Sequence, residues 1–326
     1  MISEINITFI SVNQIKFLKM NHLFRMLISA LLLLPGIFNL SAQLPEEELL
    51  WPDGIPGNPL EYKEEKLTVN EFRESSLSQS NRVFSCVSVP TYIIHKPAKG
   101  TANGVAMVIC PGGGFRDVWI DREGNDMALW LAGHGITSLV LKYRTFNSDA
   151  EGLKISRDEY NNHVYADARK AIYVLRSRAK ELGIDENKIG IGGFSAGGSL
   201  SIITALSLFE KSLPAYAKFG QINTNPDFVG LFYPGLNQGF LKVLKEKNTF
   251  PPVFIMNGGE DNVTPPENCI QLYNILKEKK LSVELHIYSK GSHGFDSGIG
   301  RGYAVSTWRD SFIAWLKDGG FIKDEQ

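Results

Sequence analysis

The pentapeptide Gly193-Phe194-Ser195-Ala196-Gly197 limits what this chain can fold into more than any other feature. Asn187 to Gly192 precede it, a short β-branched stretch with glycines that fits a buried strand. Gly198 to Phe209 follow it, apolar and long enough for a packed helix. Glycines two before and two after a serine let strand and helix approach closely while the serine occupies a strained turn. The helix N-terminus then aims free N–H groups and its positive dipole end at any anion that forms beside the serine. A Gly-x-Ser-x-Gly pattern is common by chance in a chain with 31 glycines. The strand before it and the helix after it make it a corner that exposes a nucleophile.

The rest of the chain alternates in the way that corner requires. Val83 to Lys96 carries enough Val, Ile and Tyr for one or two strands. Gly104 to Cys110, Ile136 to Tyr143, Phe228 to Tyr233, Pro252 to Met256 and Val283 to Tyr288 are further strands. Helices are expected over Glu123 to Gly133, Asp167 to Leu182, Phe240 to Lys247, Pro266 to Lys280 and Tyr303 to Lys317. The stretches 145–165 and 210–227 have weak periodicity and are expected as loops over the site. Strand and helix in alternation imply an α/β fold, a mostly parallel central sheet with helices on both faces.

The first 42 residues have the character of a targeting segment. Met20 to Arg25 is a short basic start, Met26 to Leu34 an apolar run too short for a comfortable membrane span, and Leu40 to Gln43 offers cleavage after Ala42. This predicts export to the periplasm or medium, with Met20 as the working start and no stable membrane insertion. Residues 43–82 are expected as an N-terminal arm, acidic and then Pro/Gly-rich, and 83–326 as the catalytic domain. A net charge of −1 supplies no basic surface for nucleic acid. Three cysteines (Cys86, Cys110 and Cys269) have no metal-type spacing and form no disulfide framework.

In open parallel sheets the site forms at the carboxyl ends of the strands. The strand ending at Cys110 runs into Pro111-Gly112-Gly113-Gly114-Phe115, whose glycines allow backbone N–H groups to turn inward. The strand ending at Met256 runs into a loop with Asp261 as the natural acid, and the strand ending at Tyr288 into one with His293 as the natural base. Glu260 and Asp227 rival Asp261. His95, His134, His163 and His286 lie within elements or ahead of the serine. Asp296 is expected to be structural or superficial, and Arg144 and Asp167 to be structural, with pairing to each other as one expectation. The chain order Ser, Asp, His is that of α/β-hydrolases.

On these residues the chain resembles serine esterases of the α/β-hydrolase superfamily. The group is that of bacterial feruloyl/acetyl-xylan-esterase-like and hormone-sensitive-lipase-like carboxylesterases. The resemblance runs over roughly residues 83–318. It implies a Ser195–Asp261–His293 triad, an oxyanion hole from the N–H of Ala196 with Gly113 or Gly114, an ester substrate of small-molecule or polysaccharide type, and neither cofactor nor metal. Pro111 stands where lipase-like members carry His, which favours the carbohydrate-esterase side. Two rivals remain: a prolyl-oligopeptidase-type peptidase, for which the segment ahead of the first core strand is too short to hold the usual β domain, and a non-catalytic carbohydrate-binding scaffold.

Overall fold

The computed structural model describes residues 45–56, 60, 62–71, 76–148, 156–208, 219–302 and 304–323. The leader expected over 1–42 lies outside them, as does much of the loop expected over 210–227. The strands are β1 (Glu47–Leu49), β2 (Lys66–Val69), β3 (Arg82–Ser85), β4 (Thr91–His95), β5 (Ala106–Cys110), β6 (Asp117–Val118), β7 (Thr137–Lys142), β8 (Ile189–Phe194), β9 (Val229–Phe232), β10 (Val253–Gly258) and β11 (Val283–Tyr288). The α-helices are α1 (Asp126–Gly133), α2 (Arg157–Ser177), α3 (Ala179–Leu182), α4 (Ala196–Leu206), α5 (Gln238–Glu246), α6 (Pro266–Glu278) and α7 (Trp308–Asp318).

Strands β5, β7, β8, β9 and β10 are buried at every residue, which is why they read as unbroken apolar runs rather than alternating ones. They form the centre of an eight-stranded sheet in the order β1-β4-β7-β5-β8-β9-β10-β11. The pairings β1 with β4 and β4 with β7 are antiparallel, and all pairings from β7 onward are parallel. The expected mostly parallel sheet is therefore present. The register Cys110 opposite Gly193 and Gly258 opposite Tyr288 brings the loops after β5, β8, β10 and β11 to one edge. A small antiparallel sheet, β2-β3-β6, lies apart from the main one.

Two expectations change. The arm after residue 43 is not wholly irregular: β1 adds to the sheet edge, and Trp51 behind it is buried with its indole N–H on Asp167 Oδ1 at 2.9 Å. The helix expected from Asp167 begins ten residues earlier, at Arg157, within the stretch expected as loop. Ser156 and Glu159 form a reciprocal capping box at its start, and Tyr160, Val164, Ala168, Ile172 and Leu175 make its buried stripe. Asn161, Asn162 and His163 interrupt that stripe in sequence and hid its period.

Arg144 and Asp167 are paired as suspected, with both side chains fully buried. The guanidinium Nε and NH2 reach the two carboxylate oxygens at 2.8 and 2.7 Å. Breaking one side of a buried pair leaves an uncompensated charge, at a cost of about 3–5 kcal/mol. Arg144→Ala should lower unfolding free energy by about that amount in urea titration. A loss below about 1 kcal/mol would show that Asp167 is adequately solvated without its partner.

Candidate active site

Ser195 sits between β8 and α4 with φ 51° and ψ −114°, a conformation costly for any residue with a Cβ. Its backbone is fixed on both sides: its N–H donates to Phe232 O at 3.0 Å, and its carbonyl accepts the N–H groups of Ser199 and Gly235 at 3.1 and 2.9 Å. The flanking glycines are steric necessities. A methyl on Gly197 would overlap the Cys110 carbonyl, and one on Gly193 would meet both that carbonyl and the backbone of Gly197. The turn thus closes only because strand, helix and the end of β5 can touch.

The other side chains converge on that serine. His293 Nε2 lies 2.9 Å from Ser195 Oγ, and His293 Nδ1 lies 2.9 Å from Asp261 Oδ2. Asp261 accepts further hydrogen bonds: Val263 N–H (2.9 Å) and Thr264 N–H (2.8 Å) on Oδ1, and the Thr264 hydroxyl (2.8 Å) on Oδ2. Burial pushes this carboxyl up, but the bonds from His293 and Thr264 outweigh it and hold it below the usual carboxylate range. The Thr264 hydroxyl also lies 3.1 Å from His293 Nδ1 and 3.0 Å from the Tyr233 carbonyl.

The glycine loop turns beside this line. Gly112 donates its N–H to Glu123 Oε2 at 2.7 Å, so that group is already taken. The N–H groups of Gly113, Gly114 and Ala196 have no hydrogen-bond acceptor among the described residues. Gly113 has φ 132°, and any side chain there would collide with the Asp117 backbone. The loop is tied from outside by the Tyr143 hydroxyl on Pro111 O (2.7 Å) and by Asp117 N–H on Gly113 O (2.9 Å).

The rivals are placed elsewhere. Glu260 is engaged with Lys290 at 2.6 Å and Asp227 with Arg176 at 2.7 Å. His95 bonds Asn125, His134 the Trp130 carbonyl, and His286 Glu284. Asp296 is structural and not superficial: it is buried and held by Arg122 (2.6 Å) and Arg301 (3.0 Å). Three residues near the site escaped the sequence reading. Thr264 had a weak signal, three residues after an acidic loop residue. Glu123 and Tyr233 had none, since one reads as a helix start and the other as the end of a strand.

Comparison with known proteins places the chain among esterase-like folds. Residues 94–229 match the BD-FAE family, and residues 238–319 match the prolyl oligopeptidase family. An acetylxylan esterase of Xylanibacter ruminicola is 28% identical over 244 residues, 66% of this chain and 46% of that protein. Endo-1,4-beta-xylanase B of Butyrivibrio fibrisolvens is 28% identical over 213 residues, 58% of this chain and 32% of that protein. The chain spans less than half the length of these curated relatives. Among solved structures, an acetyl ester-xyloside bifunctional hydrolase from Caldicellulosiruptor lactoaceticus superposes with TM-score 0.63 at 22% identity, over 86% of this chain and 99% of that one. A propionate-bound esterase of the planctomycete Thermogutta terrifontis superposes with TM-score 0.59 at 24% identity, over 73% and 92%. The chain has the α/β-hydrolase fold. Its sequence resembles an acetylxylan esterase, and its fold is that of solved carboxylesterases.

The lowered Asp261 carboxyl has a pH consequence. A folded value below the unfolded one stabilises the fold above the ordinary carboxyl range, about 3.9, and is lost as pH falls through the folded value. The stability difference between wild type and Asp261→Asn should therefore shrink as pH falls from about 7 to about 3. A difference that stays level over that range, measured by urea unfolding, would show that the charge itself is not what His293 and Thr264 hold.

Proposed function

We propose that the protein is an exported serine carboxylesterase that removes acetyl groups from plant polysaccharide such as xylan. The observation that carries this reading is the unbroken line from Ser195 Oγ through both nitrogens of His293 to Asp261, with each step at 2.9 Å. It ends on a carboxylate whose side chain is fully buried. Two named relatives support the substrate: an acetylxylan esterase and a xylanase. Residues 1–42 serve as leader, 43–82 as arm and 83–326 as catalytic domain. No helix among the described residues is long and apolar enough to cross a membrane.

In this reading His293 Nε2 takes the Ser195 proton as Oγ attacks the ester carbonyl. Asp261 keeps the Nδ1–H tautomer and stabilises the imidazolium. The tetrahedral oxyanion takes hydrogen bonds from Ala196 N–H and from Gly113 or Gly114 N–H. His293 protonates the leaving sugar hydroxyl, and a water activated by the same nitrogen then releases acetate and frees Ser195. Aiming donors at the oxyanion position is worth about 3 kcal/mol per donor in reactions of this kind.

The test is acetate release from acetylated xylan, with Ser195→Ala in parallel. Wild-type release that falls by about a thousandfold or more in the variant is the expected result. Cleavage of a small acetate ester without xylan deacetylation would move the substrate to other carboxylic esters. Cleavage of a prolyl peptide instead would favour the peptidase reading suggested by the match over 238–319. No cleavage of any ester or peptide would defeat the hydrolase reading altogether.

A further inference from the structure

Tyr233 follows β9 and is fully buried, with φ 37°. Its backbone N–H donates to Met256 O at 2.8 Å, and its carbonyl lies 3.0 Å from the Thr264 hydroxyl. Its ring stands edge-on to His293 and Phe295, with centroids 5.1 and 4.6 Å away. Packing alone would be served equally by phenylalanine. The hydroxyl, however, is used in both directions: it donates to Glu123 Oε1 at 2.7 Å and accepts Asp296 N–H at 3.0 Å.

Those two partners belong to different walls of the site. Glu123 lies in a π-helical turn, Asp121–Asn125, and its other oxygen takes the Gly112 N–H of the glycine loop. Asp296 lies three residues beyond His293, and its carboxylate is anchored by Arg122 and Arg301. Arg122 also donates to the Gly294 carbonyl at 3.2 Å, next to the histidine. A continuous path of four protein groups therefore runs from the Gly112 N–H through Glu123 and the Tyr233 hydroxyl to the Asp296 N–H.

We propose that Tyr233 is a positioning residue whose hydroxyl, through Glu123, holds the glycine loop and the histidine loop in register around Ser195. The proposal rests on the hydrolase reading given above. Glu123 consumes the Gly112 N–H, which leaves the next two N–H groups of the loop as the ones that can face the reacting carbonyl. Without the tyrosine hydroxyl, one oxygen of Glu123 loses this donor and the Asp296 N–H loses this acceptor, both at buried residues. Glu123 would then turn to recover a partner and carry Gly112 with it. Such a shift mis-aims the donors that meet the oxyanion and leaves ground-state ester binding largely untouched.

The test uses the full chain, 4-nitrophenyl acetate as substrate and a fluorophosphonate to titrate reactive serines, so that kcat is counted per competent site. Tyr233→Phe should lower kcat about ten- to a hundredfold, less than outright loss of a hole donor, with KM within about twofold of wild type. Glu123→Ala should do at least as much, whereas Glu123→Gln, whose amide oxygen can still accept the Gly112 N–H but whose NH2 cannot accept the Tyr233 hydroxyl proton, should fall between Glu123→Ala and wild type. The Gln and Ala variants carry the same comparison if Tyr233→Phe does not fold. A merely structural role would lower the titrated fraction or the melting temperature and leave kcat per site unchanged, and that result overturns the proposal. So does a rise in KM at constant kcat. A wild-type protein that neither turns over the ester nor takes the label overturns the hydrolase reading, and the inference with it.

Discussion

The contact on which the rest of the site depends is the approach of the β8–α4 corner to the end of β5. Cys110 pairs with Gly193 in the sheet, and a methyl group at either Gly193 or Gly197 would run into the Cys110 carbonyl. That closeness does two things at once. It forces Ser195 into a conformation that lifts its side chain out of the turn, and it sets Pro111 and the glycine loop directly beside it. Ser195 and the glycine loop are therefore neighbours by sheet register, before any side-chain interaction is considered. The His293 and Asp261 loops need only follow from adjacent parallel strands, which the β10–β11 register provides.

Two carboxyls close to this corner are driven in opposite directions by their surroundings. Asp261 is buried yet receives hydrogen bonds from an imidazole, a hydroxyl and two backbone N–H groups, and its carboxyl is held low. Glu123 is pushed up by burial, and the Tyr233 hydroxyl and the Gly112 N–H offset that only in part. The first environment suits a carboxylate that would steady an imidazolium in the proposed mechanism. The second environment suits a residue that ties down a loop, because donors from two different segments occupy both of its oxygens. Separation of two acids by environment is a recurrent means of giving one chemistry to one and scaffolding to the other.

How much of this was legible in the chain follows from range. Central strands were legible because burial on both faces leaves an unbroken apolar run, and the serine corner was legible because its glycines are local steric demands. Ser195, Asp261 and His293 could be picked out because each follows a strand at the same edge of a parallel sheet, where topology alone brings loops together. The start of α2 was not legible: its capping box at Ser156 is clear, but polar residues at 161–163 break the visible stripe. Glu123 and Tyr233 were illegible for a deeper reason. Their partners lie 11 and 110 residues apart in the chain for Gly112–Glu123 and Glu123–Tyr233 respectively, and no local pattern marks a hydroxyl that will be enclosed between two loops.

Half of the non-glycine residues with positive φ among the described residues, four of eight, lie in the same place. Among the described residues, Phe115, Ser195, Tyr233 and Asp296 are non-glycine residues with positive φ, and they lie in or beside the glycine loop, the serine corner and the histidine loop. Each such residue costs on the order of 1–3 kcal/mol and survives only where its surroundings over-determine it. The restraints are present at all four. Phe115 O takes the Phe146 N–H at 2.7 Å, and Ser195 is held by three backbone bonds. Tyr233 is held at its N–H, carbonyl and hydroxyl, and Asp296 by two arginines and the Tyr233 oxygen. The fold thus accepts several unfavourable backbone conformations within one small region and ties each down by hydrogen bonds that leave little freedom to relax. In the proposed mechanism, donors and nucleophile would thereby be fixed in advance of any substrate, and such preorganisation is what lets a static set of dipoles favour a transition state over the ester that precedes it.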